Sequence, residues 1–284
     1  MELSVSCRIA EGFFSKEEAC LSFPELADLA VAAGYDSICM RASQIGVKST
    51  VKQVWDARRI LDDRGLGVSM ISGDFDIVYN NDQGPQCLRR IGPYLHLAEA
   101  LGAPMVRVCI KGPQDMVYAQ AAAEAAASLG LMLVHQCHVQ SLFETLDGIV
   151  QRLQEIDHAG FGLIFEAANL EQCGQDYGRA AIQRLAPWIR NVYVQNQRMN
   201  PSGAITLNTW SRGPVSFDLC EIHDSGGIRF AEIFEGLKSI GYDGPITVHQ
   251  SAPQDAGLKP LTAATQTAQF LKALWTSKPN PEAK

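Results

Sequence analysis

The chain of 284 residues is predicted to be an α/β protein that folds as a single (β/α)8 TIM barrel. The main observation is that short apolar runs alternate eight times with amphipathic segments. Alternating strands and helices predict a parallel sheet, and eight units predict that the sheet closes on itself. The length agrees, because such a barrel typically needs roughly 250 residues. Since active sites of these barrels lie at the carboxyl ends of the strands, the polar residues that follow the runs are the functional candidates.

The eight apolar runs are interpreted as the barrel strands. They are residues 3–7, 37–40, 67–71, 105–110, 131–134, 161–165, 191–194 and 245–248. The polar residues that follow them include Arg8, Arg41, Asp74, Asp76, Lys111, residues 135–138, Glu166, residues 195–197, His249 and Gln250. Because side chains alternate along a strand, either His135 or Gln136 faces the lumen. We interpret His135 as a structural histidine, and Arg41 and Arg107 as members of buried ion pairs with Asp36, Asp76 or Glu166.

The helices are predicted from apolar residues at helical spacing. They span residues 23–33, 50–63, 87–101, 117–129, 142–156, 179–189, 230–240 and 261–275. Many end at a glycine, which is typical of a helix C-terminus. Pro93 is expected to kink or split the third helix. Ser141 with Glu144 three residues later predicts a capping box at the start of the fifth helix. Residues 1–276 are assigned to the barrel and residues 277–284 to a polar tail.

Two connections on the catalytic side are longer than a plain barrel needs. Residues 73–85 follow the third strand, and residues 198–229 follow the seventh. Loops of this length in a compact domain are usually binding loops or lids. We therefore expect them to cover the barrel mouth, with Tyr79, Trp210 or His223 reaching towards it. The alternative is that they are decorations or contacts between subunits of a homo-oligomer.

Composition limits the partners of the protein. A net charge of −7 argues against binding to nucleic acid or to an anionic membrane surface. The eight cysteines form no CxxC pair, which is typical of reduced thiols in a cytoplasmic protein. No apolar stretch approaches the roughly 20 residues that a membrane span needs. We expect a cytoplasmic protein that binds a small molecule and no nucleotide cofactor.

The last third of the chain carries the most specific motif. Residues 226–230 read Gly-Gly-Ile-Arg-Phe, and residues 234–248 read Phe-Glu-Gly-Leu-Lys-Ser-Ile-Gly-Tyr-Asp-Gly-Pro-Ile-Thr-Val. This ending resembles that of the xylose isomerase-like TIM barrels, the sugar phosphate isomerase/epimerase superfamily. The resemblance extends over essentially the whole chain. It implies a divalent cation, often manganese, held by Glu, Asp, His and Glu on strands five to eight.

This chain departs from the family pattern at all four ligand positions. Gln136, Glu166, Gln195 and His249 stand there. Their oxygen and nitrogen atoms can bind Mn, Zn or Co, but a single carboxylate should hold the metal more weakly, so the residues leave metal binding open. Gln136 cannot titrate, and an epimerase mechanism with two glutamates therefore does not transfer to this chain.

Two functional hypotheses follow. The favoured one is an enzyme that isomerises, epimerises or eliminates water from a polyol, ketose or oxidised sugar, with Glu166 and His249 as the catalytic residues. The residues predicted to bind the substrate are His138, Lys111, Trp210, His223 and Arg198. The alternative is a metal-free or non-catalytic sugar-binding barrel.

Overall fold

A computed structural model describes residues 1–251 and 260–277, so the predicted polar tail lies outside the described residues except for residue 277. Its strands are β1 (Glu2–Ser6), β2 (Ser37–Arg41), β3 (Gly67–Ser72), β4 (Met105–Val108), β5 (Met132–Gln136), β6 (Phe161–Glu166), β7 (Ile189–Val194), β8 (Gln197–Met199), β9 (Ile205–Thr209), β10 (Gly213–Leu219) and β11 (Pro245–Val248). Strands β1 to β7 and β11 are parallel and close into a barrel in the order β1-β11-β7-β6-β5-β4-β3-β2. The predicted single (β/α)8 barrel is confirmed.

The helices surround this barrel. They are α1 (Phe23–Ala33), α2 (Val51–Arg64), α3 (Phe75–Tyr79), α4 (Gln86–Arg89), α5 (Gly92–Leu101), α6 (Pro113–Ala127), α7 (Leu146–Ile156), α8 (Ala167–Gln172), α9 (Arg179–Leu185), α10 (Phe230–Ser239) and α11 (Pro260–Thr276). The predicted third helix is split into α4 and α5, and Pro93 lies in the first turn of α5, where a missing N–H costs no hydrogen bond. No helix within the two described ranges is long and apolar enough to cross a membrane.

The capping box predicted at Ser141 and Glu144 is wrong. Helix α7 begins at Leu146, and Thr145 is its N-cap, with its hydroxyl accepting a hydrogen bond from the Gly148 N–H at 3.1 Å. Glu144 instead accepts hydrogen bonds from the backbone N–H groups of Trp210 and Ser211, both at 2.8 Å. The Glu144 carboxylate therefore binds a distant turn of the chain, although the local sequence pattern predicts that it caps the helix.

The connection after β7 is not an irregular lid. Its residues form a three-stranded antiparallel sheet in the order β8-β10-β9. Trp210 and Ser211 lie in the turn between β9 and β10, and Glu144 binds this turn to the segment between β5 and α7. The sheet is thus fixed against the barrel by a buried carboxylate.

We expect Glu144→Ala to loosen this sheet without unfolding the barrel. The substitution leaves two N–H groups of the β9–β10 turn without their charged acceptor, at a cost of about 1–3 kcal/mol. Amide hydrogen exchange should therefore accelerate in residues 205–219 and stay unchanged in the barrel strands. Glu155→Ala, on the exposed surface of α7, is the control. Equal exchange rates in both variants would contradict the anchoring role of Glu144.

The inside of the barrel has an apolar layer below a polar one. Six lumenal side chains form a small core separate from the main core between sheet and helices: Cys39, Met70, Met105, Val134, Ile164 and Tyr193. Arg41, Arg107, Gln136 and Glu166 stand two residues further along their strands. Because side chains alternate along a strand, these four also face the lumen, at its carboxyl end. The strands thus place charged and amide groups at the barrel mouth.

Candidate active site

A cavity of about 250 Å³ lies at the carboxyl end of the barrel. Gln136, Glu166, Gln195 and His249, the four residues predicted to form the site, all line it. His138, which was predicted to bind the substrate, lines it as well. The structure therefore brings together side chains from four neighbouring strands of the barrel, as the positions of the strand ends predict.

Glu166 is the only carboxylate that lines this cavity among the described residues, and it is 2% exposed. Its Oε2 atom accepts hydrogen bonds from the side-chain amides of Gln136 and Asn169, the second at 2.8 Å. No described residue bonds to Oε1. Burial raises the pKa of Glu166 to about 7, although the Gln136 hydrogen bond and the charges of Arg107 and Arg8 oppose the shift. Glu166 therefore exists in both protonation states near neutral pH.

The three histidines of the site region are neutral. Burial, together with the charges of Arg41 and Arg8, holds the pKa of His249 well below its ordinary value, and its ring stacks on Tyr193 at 3.9 Å between centroids. Burial lowers the pKa of His138 in the same way. His135 packs against Phe143 in the main core, as its structural interpretation requires. A neutral His249 can exchange hydrogen bonds with a ligand, but its low pKa makes it a weak base.

Four cationic side chains line the same cavity: Arg8, Lys16, Arg41 and Arg107. The Arg8 and Arg107 side chains make no hydrogen bond or salt bridge with a described residue, and the Nε atom of each is buried without a partner. Burial and the neighbouring charge of Arg41 lower the pKa of Arg8 to about 10. Arg107, predicted to sit in a buried ion pair, has no such pair within residues 1–251 and 260–277.

Arg41 is paired, but not with the partners expected from the sequence. Its Nε and Nη2 atoms donate to both carboxylate oxygens of Glu11 at 2.8 to 3.0 Å, and the two side chains are 1% and 0% exposed. Burial opposes ionisation of Glu11, but the charge and hydrogen bonds of Arg41 prevail and lower the pKa of Glu11 below its ordinary value. Asp36 instead accepts a hydrogen bond from the Leu3 N–H at 2.8 Å.

The segment between β1 and α1 closes one side of the cavity, which the sequence interpretation missed. It supplies Phe13, Phe14 and Lys16 to the wall. The Lys16 ammonium lies 5.2 Å from the centroid of the Tyr79 ring, and burial and neighbouring arginines lower the pKa of Lys16 to about 6. Tyr79 lines the cavity as predicted. The length of the gap between the first strand and the first helix, with adjacent phenylalanines in it, was the available signal.

Four residues predicted to bind substrate do not line the cavity. Lys111 donates from Nζ to the Asn80 carbonyl at 2.9 Å, and Arg198 donates to the Ser225 and Gly226 carbonyls. Trp210 is 55% exposed at the turn that Glu144 binds, and His223 is exposed. Lys111 follows β4 and is held by Asn80 and Asp82. In contrast, Arg198, Trp210 and His223 belong to the segment after β7, which carries a three-stranded sheet. Of that segment, Leu207 reaches the cavity.

The donor set fits a divalent cation poorly. Gln136 Oε1 is a buried oxygen without a partner, as a metal ligand would be, and Gln195 and His249 lie in the same wall. Against this, the single carboxylate among the described lining residues is already bound by two amides, and three arginines face the same space. The described residues contain no cluster of three or more His, Cys, Asp or Glu residues suited to a metal. Divalent ions favour anionic oxygen ligands, which this site supplies only once.

Comparison with known proteins agrees with this architecture. The chain matches the family described as xylose isomerase-like TIM barrel over residues 27–274. An inosose dehydratase from Geobacillus thermodenitrificans (strain NG80-2) is 23% identical over 151 residues, which cover 52% of this chain. The match spans only 50% of the length of that curated relative.

Two solved structures share the fold at low sequence identity. The probable 3-DHS dehydratase AsbF from Bacillus anthracis superimposes with a TM-score of 0.69 at 16% identity, covering 96% of this chain and 99% of that one. A xylose isomerase-like TIM barrel protein from Mycobacterium smegmatis, solved in complex with magnesium, gives 0.68 at 15% identity and 96% coverage of both chains. The family match covers most of the sequence, and the chain therefore belongs to the xylose isomerase-like TIM barrel family.

Proposed function

We propose that the protein is an enzyme that removes a proton from the carbon next to a carbonyl group of a polyhydroxylated substrate. Isomerisation through an enediol, epimerisation next to a carbonyl and elimination of water from an oxidised sugar all begin with this step. Membership of the family and the dehydratase activity named for the curated relative support this class of reaction. The observation that carries the proposal is the position of Glu166, a buried carboxylate in the cavity wall that two side-chain amides hold by one oxygen.

Glu166 has the properties of a general base. Its pKa of about 7 lies close to neutral pH, where a catalytic base is most effective. Gln136 and Asn169 hold one carboxylate oxygen, which leaves Oε1 available to take a proton from the substrate. Protonated Glu166 can then return the proton to another position or to a departing hydroxyl group. One carboxylate with two protonation states thus serves both halves of the reaction.

Arginine side chains that line the cavity can stabilise the negative charge of the enolate intermediate. Removal of a proton next to a carbonyl leaves negative charge on the carbonyl oxygen. The guanidinium groups of Arg8 and Arg107 line the same cavity and have hydrogen-bond donors to spare. Preorganised donors of this kind stabilise developing negative charge most strongly where water is excluded. We therefore assign to these arginines the electrostatic role that a divalent cation would otherwise have.

Solvent exchange tests the proposal without knowledge of the product. The protein would be incubated in D2O with inosose, 3-DHS or a ketose, and deuterium at carbon would be followed by NMR. The wild type should introduce deuterium into at least one compound, and Glu166→Gln should not. Glu155→Gln, at an exposed site on α7, is the control and should match the wild type. Binding of these compounds without exchange would instead support the non-catalytic sugar-binding barrel.

The poor fit of the donor set to a divalent cation gives a second expectation. Treatment with a chelator should leave the exchange rate of the wild type unchanged within about twofold, and added Mn²⁺ should not restore rate to any variant. Calorimetric titration with Mn²⁺ checks the same point without substrate. One equivalent of Mn²⁺ bound tightly, and lost in Glu166→Gln, would show that the four predicted ligand positions do hold metal.

A further inference from the structure

The most unusual feature of the cavity is a pair of buried guanidinium groups that form no ion pair with any residue in the described ranges 1–251 and 260–277. Arg8 is 4% exposed and Arg107 is 3% exposed, and both line the cavity. The Nε atom of each donates to no described residue. The Arg8 guanidinium lies over the face of the Phe13 ring, 5.2 Å from its centroid. Both side chains are therefore held inside the barrel with free hydrogen-bond donors.

Such an arrangement is energetically unfavourable unless a further group pairs with the two guanidinium charges. A buried charge is normally paired, because removing it from water without a partner costs several kcal/mol. The neighbouring Arg41 shows the usual solution, since Glu11 binds it through two hydrogen-bonding nitrogen atoms. Arg8 and Arg107 lack an equivalent carboxylate within the described residues. Glu166, the one acidic side chain that the described residues contribute to the wall, already accepts two amide hydrogen bonds.

Counted over the part of the chain that the structure describes, the charge balance of the wall is positive under any protonation state near neutral pH. Glu11 neutralises Arg41, and an ionised Glu166 can neutralise one of the two remaining arginines. At least one guanidinium charge is left over, and Lys16 adds to it whenever it is protonated. A neutral sugar would leave this excess charge uncompensated. A ligand that carries an anionic group would pair with it.

We propose that the cavity binds a substrate with an oxyanion group, a carboxylate or a phosphate, which Arg8 and Arg107 recognise. This inference rests on the proposed function, since it names the substrate class of the same site. A planar guanidinium matches the two oxygens of a carboxylate or phosphate, and such hydrogen bonds are about twice as strong as those between neutral groups. The cavity of about 250 Å³ limits the ligand to roughly the size of one monosaccharide.

Matched sugar probes test the inference by binding alone. D-glucose, D-glucuronate and D-glucose 6-phosphate would be titrated into the wild type at low ionic strength by calorimetry. At least one of the two anions should bind at least 10-fold more tightly than D-glucose. The reason is that the anionic group forms charge-assisted hydrogen bonds, which the neutral sugar cannot form. The stronger of the two anions identifies the oxyanion as carboxylate or phosphate. Equal affinity for all three probes would overturn the proposal.

Arginine variants locate the binding group. Arg8→Gln and Arg107→Gln should each weaken the preferred anion about 10- to 100-fold and leave D-glucose unchanged. Arg59→Gln, on the exposed face of α2, should change neither affinity. Because each cavity variant removes an unpaired buried charge, its Tm without ligand should equal or exceed that of the wild type. Folded variants that bind the anion as tightly as the wild type would exclude these arginines as the recognition residues.

The same titration separates this inference from the proposed function. Glu166→Gln removes a negative charge from the wall and should bind the anion at least as tightly as the wild type. Anion binding without any deuterium exchange would mean that only the proposed reaction is wrong. Exchange into neutral compounds, with no preference for anions, would mean that only the substrate class is wrong.

Discussion

Replacing Glu166 with Gln is expected to lower kcat about 100- to 10,000-fold, the usual contribution of a general base. The amide oxygen of the new residue can still accept the hydrogen bonds from Gln136 and Asn169, so the shape of the cavity should persist. In the wild type, kcat/KM should rise with pH through about 7, because the base must be ionised. Steady-state rates of both proteins across this range provide the check.

Stability provides an independent readout for the same variant. Burial raises the pKa of Glu166 from 4.5 to about 7, so the folded protein binds this proton more tightly than the unfolded chain. The contribution of Glu166 to folding therefore becomes less favourable as pH rises from about 4.5 to 7. Glu166→Gln should have a higher Tm than the wild type at pH 8 and a smaller difference at pH 5. A variant less stable than the wild type at both pH values would contradict the raised pKa.

The second large effect is expected at the ion pair below the cavity. Glu11→Gln keeps the shape of the side chain but leaves the Arg41 charge buried and uncompensated. Breaking a buried pair in this way costs about 3–5 kcal/mol. Thermal unfolding should show a fall in Tm of roughly 6–15 °C. The variant loses stability because the Arg41 guanidinium stays buried without a counterion, and not because packing is lost.

Two further variants test that reason. Removing both charges in Glu11→Gln/Arg41→Gln should recover much of the lost stability, because no charge is then left unpaired. Asp56→Asn breaks the exposed pair between Lys52 and Asp56 and should leave the free energy of unfolding nearly unchanged, because solvent screens exposed ion pairs. A double variant as unstable as the single one would show that the hydrogen-bonded contact, rather than the charge balance, stabilises this region.

Strand periodicity is sufficient to predict the barrel and most of its polar layer. The apolar runs place Gln136, Glu166 and His249 at strand ends, and the closed parallel sheet then makes them neighbours. Helix ends are less well predicted where a side chain has a distant partner. Glu144 satisfies the local pattern of a capping box, yet it binds the turn at Trp210, which is 66 residues away in sequence.

The cationic character of the site could not be predicted in the same way. Three different strands contain or precede the arginines of the cavity, which are Arg8, Arg41 and Arg107. Whether each arginine pairs with an acidic residue depends on the path of the loops. Glu11 reaches Arg41 because the segment after β1 folds back across the barrel mouth. Lys16 enters the cavity by the same route. The path of a loop leaves no periodic pattern in the sequence. Residue spacing therefore predicts neither the excess positive charge of the cavity nor the pairing of Arg41 with Glu11.

The predicted cover of the barrel mouth is met only in part, for a related reason: Tyr79 and Leu207 line the cavity, whereas Trp210 and His223 do not. The length of residues 198–229 predicts a functional loop, but part of this segment forms the strands β9 and β10. Trp210 and His223 therefore remain outside the cavity, while Tyr79 from the shorter connection after β3 lines it. A long connection predicts additional structure at the mouth, and its own secondary structure decides which side chains reach the site.

The most direct measurement is the pKa of Glu166 itself. Protein labelled with ¹³C at the glutamate carboxyl carbon would be titrated by NMR, and Glu166→Gln would identify the signal of this residue. A midpoint near 7 is expected in the wild type, because burial outweighs the neighbouring arginines. Arg107→Gln should raise it further, since one stabilising positive charge is removed. A wild-type midpoint at the ordinary value of about 4.5 would contradict the assignment of Glu166 as the proton-transferring group.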